Sequence, residues 1–117
     1  MLLVRRRHPP FRGRHALPGG FVEIGETVEA ACRRELLEET GVRAGRLRLI
    51  GVYSDPGRDP RGHNCSVAYL TRLRRATARA GDDAAAAEWI EDWTRLPLAF
   101  DHAKILGDAR TLMKKGA

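Results

Sequence analysis

Long apolar runs are missing from this chain of 117 residues. None approaches the roughly 20 residues that a bilayer span needs, and Met1-Leu2-Leu3-Val4 is too short for the apolar region of a signal peptide. A soluble, cytoplasmic protein without a membrane partner is expected. Cysteine is scarce: Cys32 and Cys65 stand far apart with no CxxC spacing, so neither a disulfide framework nor a zinc knuckle is indicated, and both read as small core residues. Aromatic residues make up only 6% of the chain, which leaves few side chains to stack bases. A nucleic-acid partner is therefore disfavoured despite the formal net charge of +6. Lysine occurs only at Lys104, Lys114 and Lys115, so the positive charge is almost all arginine, scattered apart from Arg5-Arg6-Arg7. Small anionic ligands suit such a surface at least as well as a polymer does. Internal repeats and linkers are absent too, and the length suits one core, so residues 1–117 read as a single domain.

What is present reads as mixed α/β. Leu2 to Arg6 is a short strand, followed by the Pro- and Gly-marked loop "HPPFRGRH" and an extended piece from Ala16 to Val22. Thr27 is a good N-cap for a helix whose apolar side uses Val28, Ala31, Cys32 and Leu36, at the spacing of one helical face. Gly41 ends it in the left-handed conformation, and Val42 is placed to touch Leu37 as in a Schellman closure. Arg46 to Tyr53 and His63 to Leu73 alternate as strands around the loop "SDPGRDPRG". Glu88 to Trp93 is a third strand candidate after the biased patch Ala84 to Ala87. Asp101 to Lys115 closes the chain as an amphipathic helix with Ala103, Ile105, Leu106, Ala109, Leu112 and Met113 at its apolar positions.

The first helix carries Glu35, Glu38 and Glu39 near its end. At spacings of three and four they share one side and repel by about 0.2–0.5 kcal/mol per pair. The negative end of the helix dipole disfavours them by a further ~0.3–1 kcal/mol. A solvated face screened by Arg33 and Arg34 is the ordinary explanation for an acidic helix. The functional alternative is a cluster of hard oxygen ligands, which suits Mg²⁺ or Mn²⁺.

Gly20, five residues, Glu26, seven residues, then Arg34-Glu35-Leu36-Leu37-Glu38-Glu39-Thr40-Gly41-Val42 resembles the Nudix box at every specified position. "LLVRRR" and "RGRHALPGGFVEIGET" before the box, with "YSDPGRDPRGHNCSVAYL" after it, resemble the ADP-ribose pyrophosphatase branch of Nudix hydrolases. The resemblance implies an α/β/α sandwich with a mixed sheet, whose loop–helix–loop holds divalent metal. It also implies cleavage of a pyrophosphate linkage in a nucleoside diphosphate derivative. Two departures stand out. Family members usually have a further strand before the segment like "LLVRRR", so the N-terminal strand is expected to be missing here. The exposed edge this would leave at Leu2 to Arg6 predicts a homodimer, or else weak stability. His15 stands where the branch commonly has tryptophan, which bears on local packing or base recognition.

By position, the resemblance implies that Glu35, Glu38 and Glu39 are metal ligands, with the Gly19 carbonyl as a further donor. Arg34 is implied as an orienting partner, and Glu26 as an outer carboxylate acting from the preceding loop. Gly19 and Gly20 suit a backbone that approaches metal and phosphate closely. Glu39 is the expected essential ligand and candidate base. Asp82 and Asp83 are candidates for an extra carboxylate, or else a surface turn. Arg58 and Arg61 are expected to grip phosphate or a ribose-linked diphosphate, or else to sit on a solvated turn. Arg5 and Arg6 are further substrate candidates, but strand alternation sends only one of them to a given face. His8, His15, His63 and His102 share no metal spacing and read as packing or loop residues. The leading expectation is hydrolysis of ADP-ribose to AMP and ribose 5-phosphate. Alternatives are a nucleoside triphosphate pyrophosphohydrolase, including oxidised nucleotides, a non-catalytic ADP-ribose sensor, and a basic RNA-binding module.

Overall fold

The computed structural model describes residues 1–73 and 84–115. Strand β1 (Leu2–Arg6) lies at the centre of a three-stranded antiparallel sheet, with β2 (His15–Ala16) on one side and β5 (Ala84–Trp89) on the other. Leu3 and Val4 point to opposite faces and both are buried, so β1 is covered above and below. That is why "LLV" is continuously apolar rather than alternating. Leu3 packs with Leu98 and Leu106, while Val4 packs with Ala16 and Ala99.

The expected open edge at Leu2 to Arg6 is therefore not found. Residues Leu2 to Arg6 all register against β5, and Val4 and Arg5 also pair with β2. β1 is thus an inner strand at Val4 and Arg5, and the reason given for a homodimer falls away. A second antiparallel pair joins β3 (Arg48–Tyr53) to β4 (Ser66–Leu70). The parallel component among the described residues is one bridge between His15 and Leu98.

Helix α1 (Val28–Thr40) begins and ends where its caps dictate. The Thr27 hydroxyl accepts from the Ala30 N–H at 3.1 Å, and Gly41 adopts φ 73°. The Gly41 N–H donates to the Leu37 carbonyl at 2.8 Å, while the Val42 N–H donates to the Thr40 hydroxyl at 3.2 Å. This is the single-bond left-handed closure rather than the Schellman form expected. Helix α2 (His102–Lys114) has Asp101 as its N-cap residue and buries Ile105, Leu106 and Ala109. Ala103 and Met113, expected on its apolar face, are exposed. Tyr53 ties β3 to α2 by donating to Asp108 at 2.7 Å, and burial together with that carboxylate pushes its phenol up to about 12.

Further corrections concern extent and exposure. The third strand candidate lies upstream of where it was placed: the alanine patch itself is β5, and Trp93 opens a 3₁₀ turn (Trp93–Arg95). The extended piece after the first loop is a strand only at His15–Ala16, and β3 and β4 are shorter than their alternation suggested. Cys65 is exposed rather than a core residue, Cys32 is half-buried, and neither is bonded to the other. Among the described residues, no helix is long and apolar enough to cross a membrane.

Candidate functional site

One guanidinium organises the acidic helix. Arg34 grips Glu26 through both carboxylate oxygens, at 3.0 Å from Nε and 2.7 Å from Nη2. Its Nη1 reaches Glu35 at 2.7 Å and Glu38 at 3.1 Å, and Nη2 also donates to the Phe21 carbonyl at 3.1 Å. Glu26 precedes the N-cap and so acts from the loop, as its sequence position implied. The Arg34 bonds, and then the Glu23 N–H, hold the Glu26 carboxyl below its ordinary value. The same bonds raise Arg34, which remains a permanent cation. The repulsion expected among the helix carboxylates is thus answered by Arg34. Arg33, the other expected screen, donates instead to the Ala44 carbonyl at 2.9 Å.

The glycine strap lies directly on this cluster. The Gly19 N–H donates to Glu39 Oε2 at 3.2 Å. At Gly20 an added Cβ would lie 2.5 Å from the Glu35 carboxyl carbon, closer than any real side chain tolerates. At Gly19 a Cβ would meet nothing within 4 Å, so the close-approach reason expected for both glycines applies to Gly20.

These donors suit a hard divalent cation. Three carboxylates leave the last turns of one helix, and the backbone of Gly19 and Gly20 abuts two of them, an all-oxygen set of the kind Mg²⁺ or Mn²⁺ takes. Among the described residues, no three acidic, imidazole or thiol side chains already close around one point. Arg34 engages one oxygen each of Glu35 and Glu38.

A cationic and aromatic cluster adjoins the carboxylates. Phe100 packs edge-on against Phe11 with centroids 4.9 Å apart. The Arg6 guanidinium stands 4.9 Å from the Phe100 centroid and that of Arg61 stands 5.4 Å away, with Arg61 also 5.6 Å from Phe21. Burial, then the like charge of Arg61, lowers the Arg6 pKa, while Asp59 and Glu39 act the other way. Arg6 therefore stands between like and opposite charges. Phe11 and Phe100 both adopt left-handed backbone, φ 61° and 52°, a conformation that costs a bulky residue roughly 1–2 kcal/mol. Such strain persists where surrounding contacts hold it.

The four arginines expected to meet substrate divide. Arg6 feels the charge of Glu39, and Arg61 stands beside Phe21 and, with Arg6, over Phe100. Arg5 points away and approaches Glu88 at 3.7 Å, as strand alternation required of one of the pair. Arg58 has a side chain only 5% exposed, donates to both Asp101 oxygens at 2.8 and 2.7 Å and to Ser66 at 2.7 Å, and so braces its own loop. Asp82 and Asp83 lie outside the described residues.

The sequence pattern singles out neither Asp59 nor Phe100, and reads His102 as a packing or loop residue. Asp59 is buried and accepts from Arg61 and Asn64, which hold its carboxyl well below the usual range. His102 Nδ1 accepts the Leu17 N–H at 3.0 Å, so its proton sits on Nε2. Burial pushes this imidazole down to about 4, opposed by Asp101 and assisted by Arg58 and Arg6. An Asp-His pair opening an apolar helix was the available signal.

A pH dependence of stability follows. His102 titrates at 6.5 in its ordinary state and at about 4 when folded, so the unfolded chain binds the extra proton between those values. Its contribution is complete above 6.5 and is lost as pH falls towards 4, on the order of 3 kcal/mol in all. Asp59, held low, adds a loss only below the ordinary carboxylate range. Urea unfolding across this window should show the decline, and His102→Asn should flatten its upper part. A flat profile in the unaltered protein would contradict the buried neutral imidazole.

Comparison with known proteins agrees with the box and the fold. The NUDIX domain family matches residues 1–113. An ADP-ribose pyrophosphatase of Methanocaldococcus jannaschii is 52% identical over 109 residues, covering 92% of this chain and 64% of that protein. An ADPR-responsive transcriptional repressor of Acinetobacter baylyi is 33% identical over 114 residues, covering 93% of this chain and 46% of the repressor. This chain thus spans less than two thirds of the first relative and about half of the second. The NUDIX domain of Shewanella oneidensis NrtR, solved with ADP ribose, superposes with TM-score 0.91 at 30% identity, covering 96% of this chain and 76% of that one. With its box, its fold and these matches, the chain belongs to the Nudix family.

Proposed function

We propose that residues 1–117 act as one metal-dependent pyrophosphohydrolase unit that hydrolyses ADP-ribose to AMP and ribose 5-phosphate. The observation that carries this is the Arg34 bridge, which gathers Glu26, Glu35 and Glu38 beside a glycine strap bonded to Glu39. The 52% identity to an archaeal ADP-ribose pyrophosphatase supports the substrate. A cytoplasmic location belongs to the same reading.

In this mechanism Glu35, Glu38, Glu39 and the Gly19 carbonyl would hold Mg²⁺ or Mn²⁺. When bound, the cation supplies neutralisation of phosphate oxygens and a lowered pKa for a coordinated water. Arg34 fixes the directions of Glu35 and Glu38 and ties the entering loop to the helix through Glu26. Glu39, oriented by the Gly19 N–H, is the group we assign to taking a proton from the attacking water. Arg6 and Arg61, carried on Phe100, hold the anionic substrate by charge-assisted bonds.

The test is product analysis over nucleoside diphosphate derivatives and triphosphates, with Mg²⁺ and with Mn²⁺. ADP-ribose should be preferred, and Arg61→Ala should lower its kcat/KM more than that of a triphosphate, by ~1.5–3 kcal/mol. Equal losses, or a triphosphate preferred by the unaltered protein, would favour a triphosphate pyrophosphohydrolase. The likeness to an ADP-ribose-bound regulator domain favours one further reading. Binding of ADP-ribose without AMP formation would identify a sensor.

A further inference from the structure

Residues Phe100, Asp101 and His102 each hold a different piece of chain at the edge of the site. Phe100 carries Arg6 and Arg61, Asp101 receives Arg58 from the β3–β4 loop, and His102 receives the backbone of Leu17. The last link matters most for the carboxylates. Leu17 lies two residues before Gly19, whose N–H meets Glu39, and three before Gly20, which leaves no room between its backbone and Glu35. On the other side of the same segment, the Ala99 N–H donates to the His15 carbonyl at 2.9 Å. The segment from His15 to Gly20 is thus fastened at its start by Ala99, at its middle by His102 and at its end by Glu39.

We infer that His102 is a positioning residue: by accepting the Leu17 N–H it sets the height of the Gly19–Gly20 strap over Glu35 and Glu39, and thereby the geometry of the cation site. The metal part of this inference rests on the proposed function. The strap part rests on hydrogen bonds alone. An acceptor is needed at one point, the Nδ1 position 3.0 Å from the Leu17 nitrogen. Outer partners that orient ligands in this way typically change metal affinity by about 10–100-fold when removed.

The experiment uses two amides that differ only in reach. The carbonyl oxygen of asparagine lies near the Nδ1 position, and that of glutamine near the Nε2 position. His102→Asn should therefore preserve the strap, whereas His102→Gln should release it. Mn²⁺ binding, followed by the electron paramagnetic resonance of the free ion, should weaken roughly 10-fold in His102→Gln and stay within about 3-fold in His102→Asn. The Leu17 and Gly19 amides should exchange faster in the Gln variant while the α1 interior stays protected. Equal Mn²⁺ affinities and equal Leu17 and Gly19 exchange in the two folded variants would overturn the inference and leave His102 a packing residue. If the unaltered protein bound no Mn²⁺, the metal reading would fall, and amide exchange alone would decide the strap.

Discussion

Glu39→Gln is expected to reduce ADP-ribose turnover by ~10²-fold or more, the scale of losing a preorganised charge at the reacting centre. The substitution keeps the shape of the side chain, and a carbonyl oxygen can still accept the Gly19 N–H that Glu39 Oε2 accepts at 3.2 Å. The strap should therefore stay in place, and the loss should report charge and proton acceptance rather than disorder. Stability in the absence of metal should hold or rise slightly, because one repelling charge leaves the negative end of α1. The measurement is kcat alongside the melting temperature in EDTA. A large fall in metal-free melting temperature would show that Glu39 is a structural anchor, and retained turnover would remove it from the chemistry.

Gly20→Ala is expected to cost about 10²-fold in turnover with little loss of stability. The new Cβ would lie 2.5 Å from the Glu35 carboxyl carbon and from Oε1, and 2.7 Å from Oε2. Those atoms are the far end of a flexible side chain, so Glu35 can swing away without disturbing the core. It would then lose the 2.7 Å bond from Arg34 and its place beside Glu38. A displacement of about 1 Å at a reacting centre can cost on the order of 10²-fold. Because Gly20→Ala acts through Glu35, combining it with Glu35→Gln should add little to either change alone. Full additivity in kcat, or unfolding of Gly20→Ala, would contradict this reading of the contact.

The parts of the fold legible in the sequence were those set by local chemistry. Thr27 and Gly41 mark α1 because a hydroxyl cap and a left-handed glycine act within one turn. Leu2 to Arg6 matches β1 residue for residue. What misled was non-local. The alanine patch has little intrinsic strand preference, and it is a strand because β1 lies beside it. The open edge expected at β1 is filled by β2, across the loop that follows β1, and on the other side by β5, which is remote in sequence. In the candidate site, the spacing of Glu26, Arg34, Glu35 and Glu38 carried its own geometry, since all but Glu26 share one helix. The sorting of Arg58 from Arg61 could not be read, because it depends on Asp101, 43 residues from Arg58, against Asp59, two residues from Arg61. His102 was hidden for the same reason, its partner being the backbone of Leu17, 85 residues away.

Metal-dependent hydrolysis is tested most directly by chromatographic analysis of ADP-ribose incubated with the protein, once with Mg²⁺ and once with excess EDTA. Equal amounts of AMP and ribose 5-phosphate are expected with the metal, and neither product in EDTA. Undiminished AMP formation in EDTA, or no AMP with either Mg²⁺ or Mn²⁺ while ADP-ribose is bound, would contradict it.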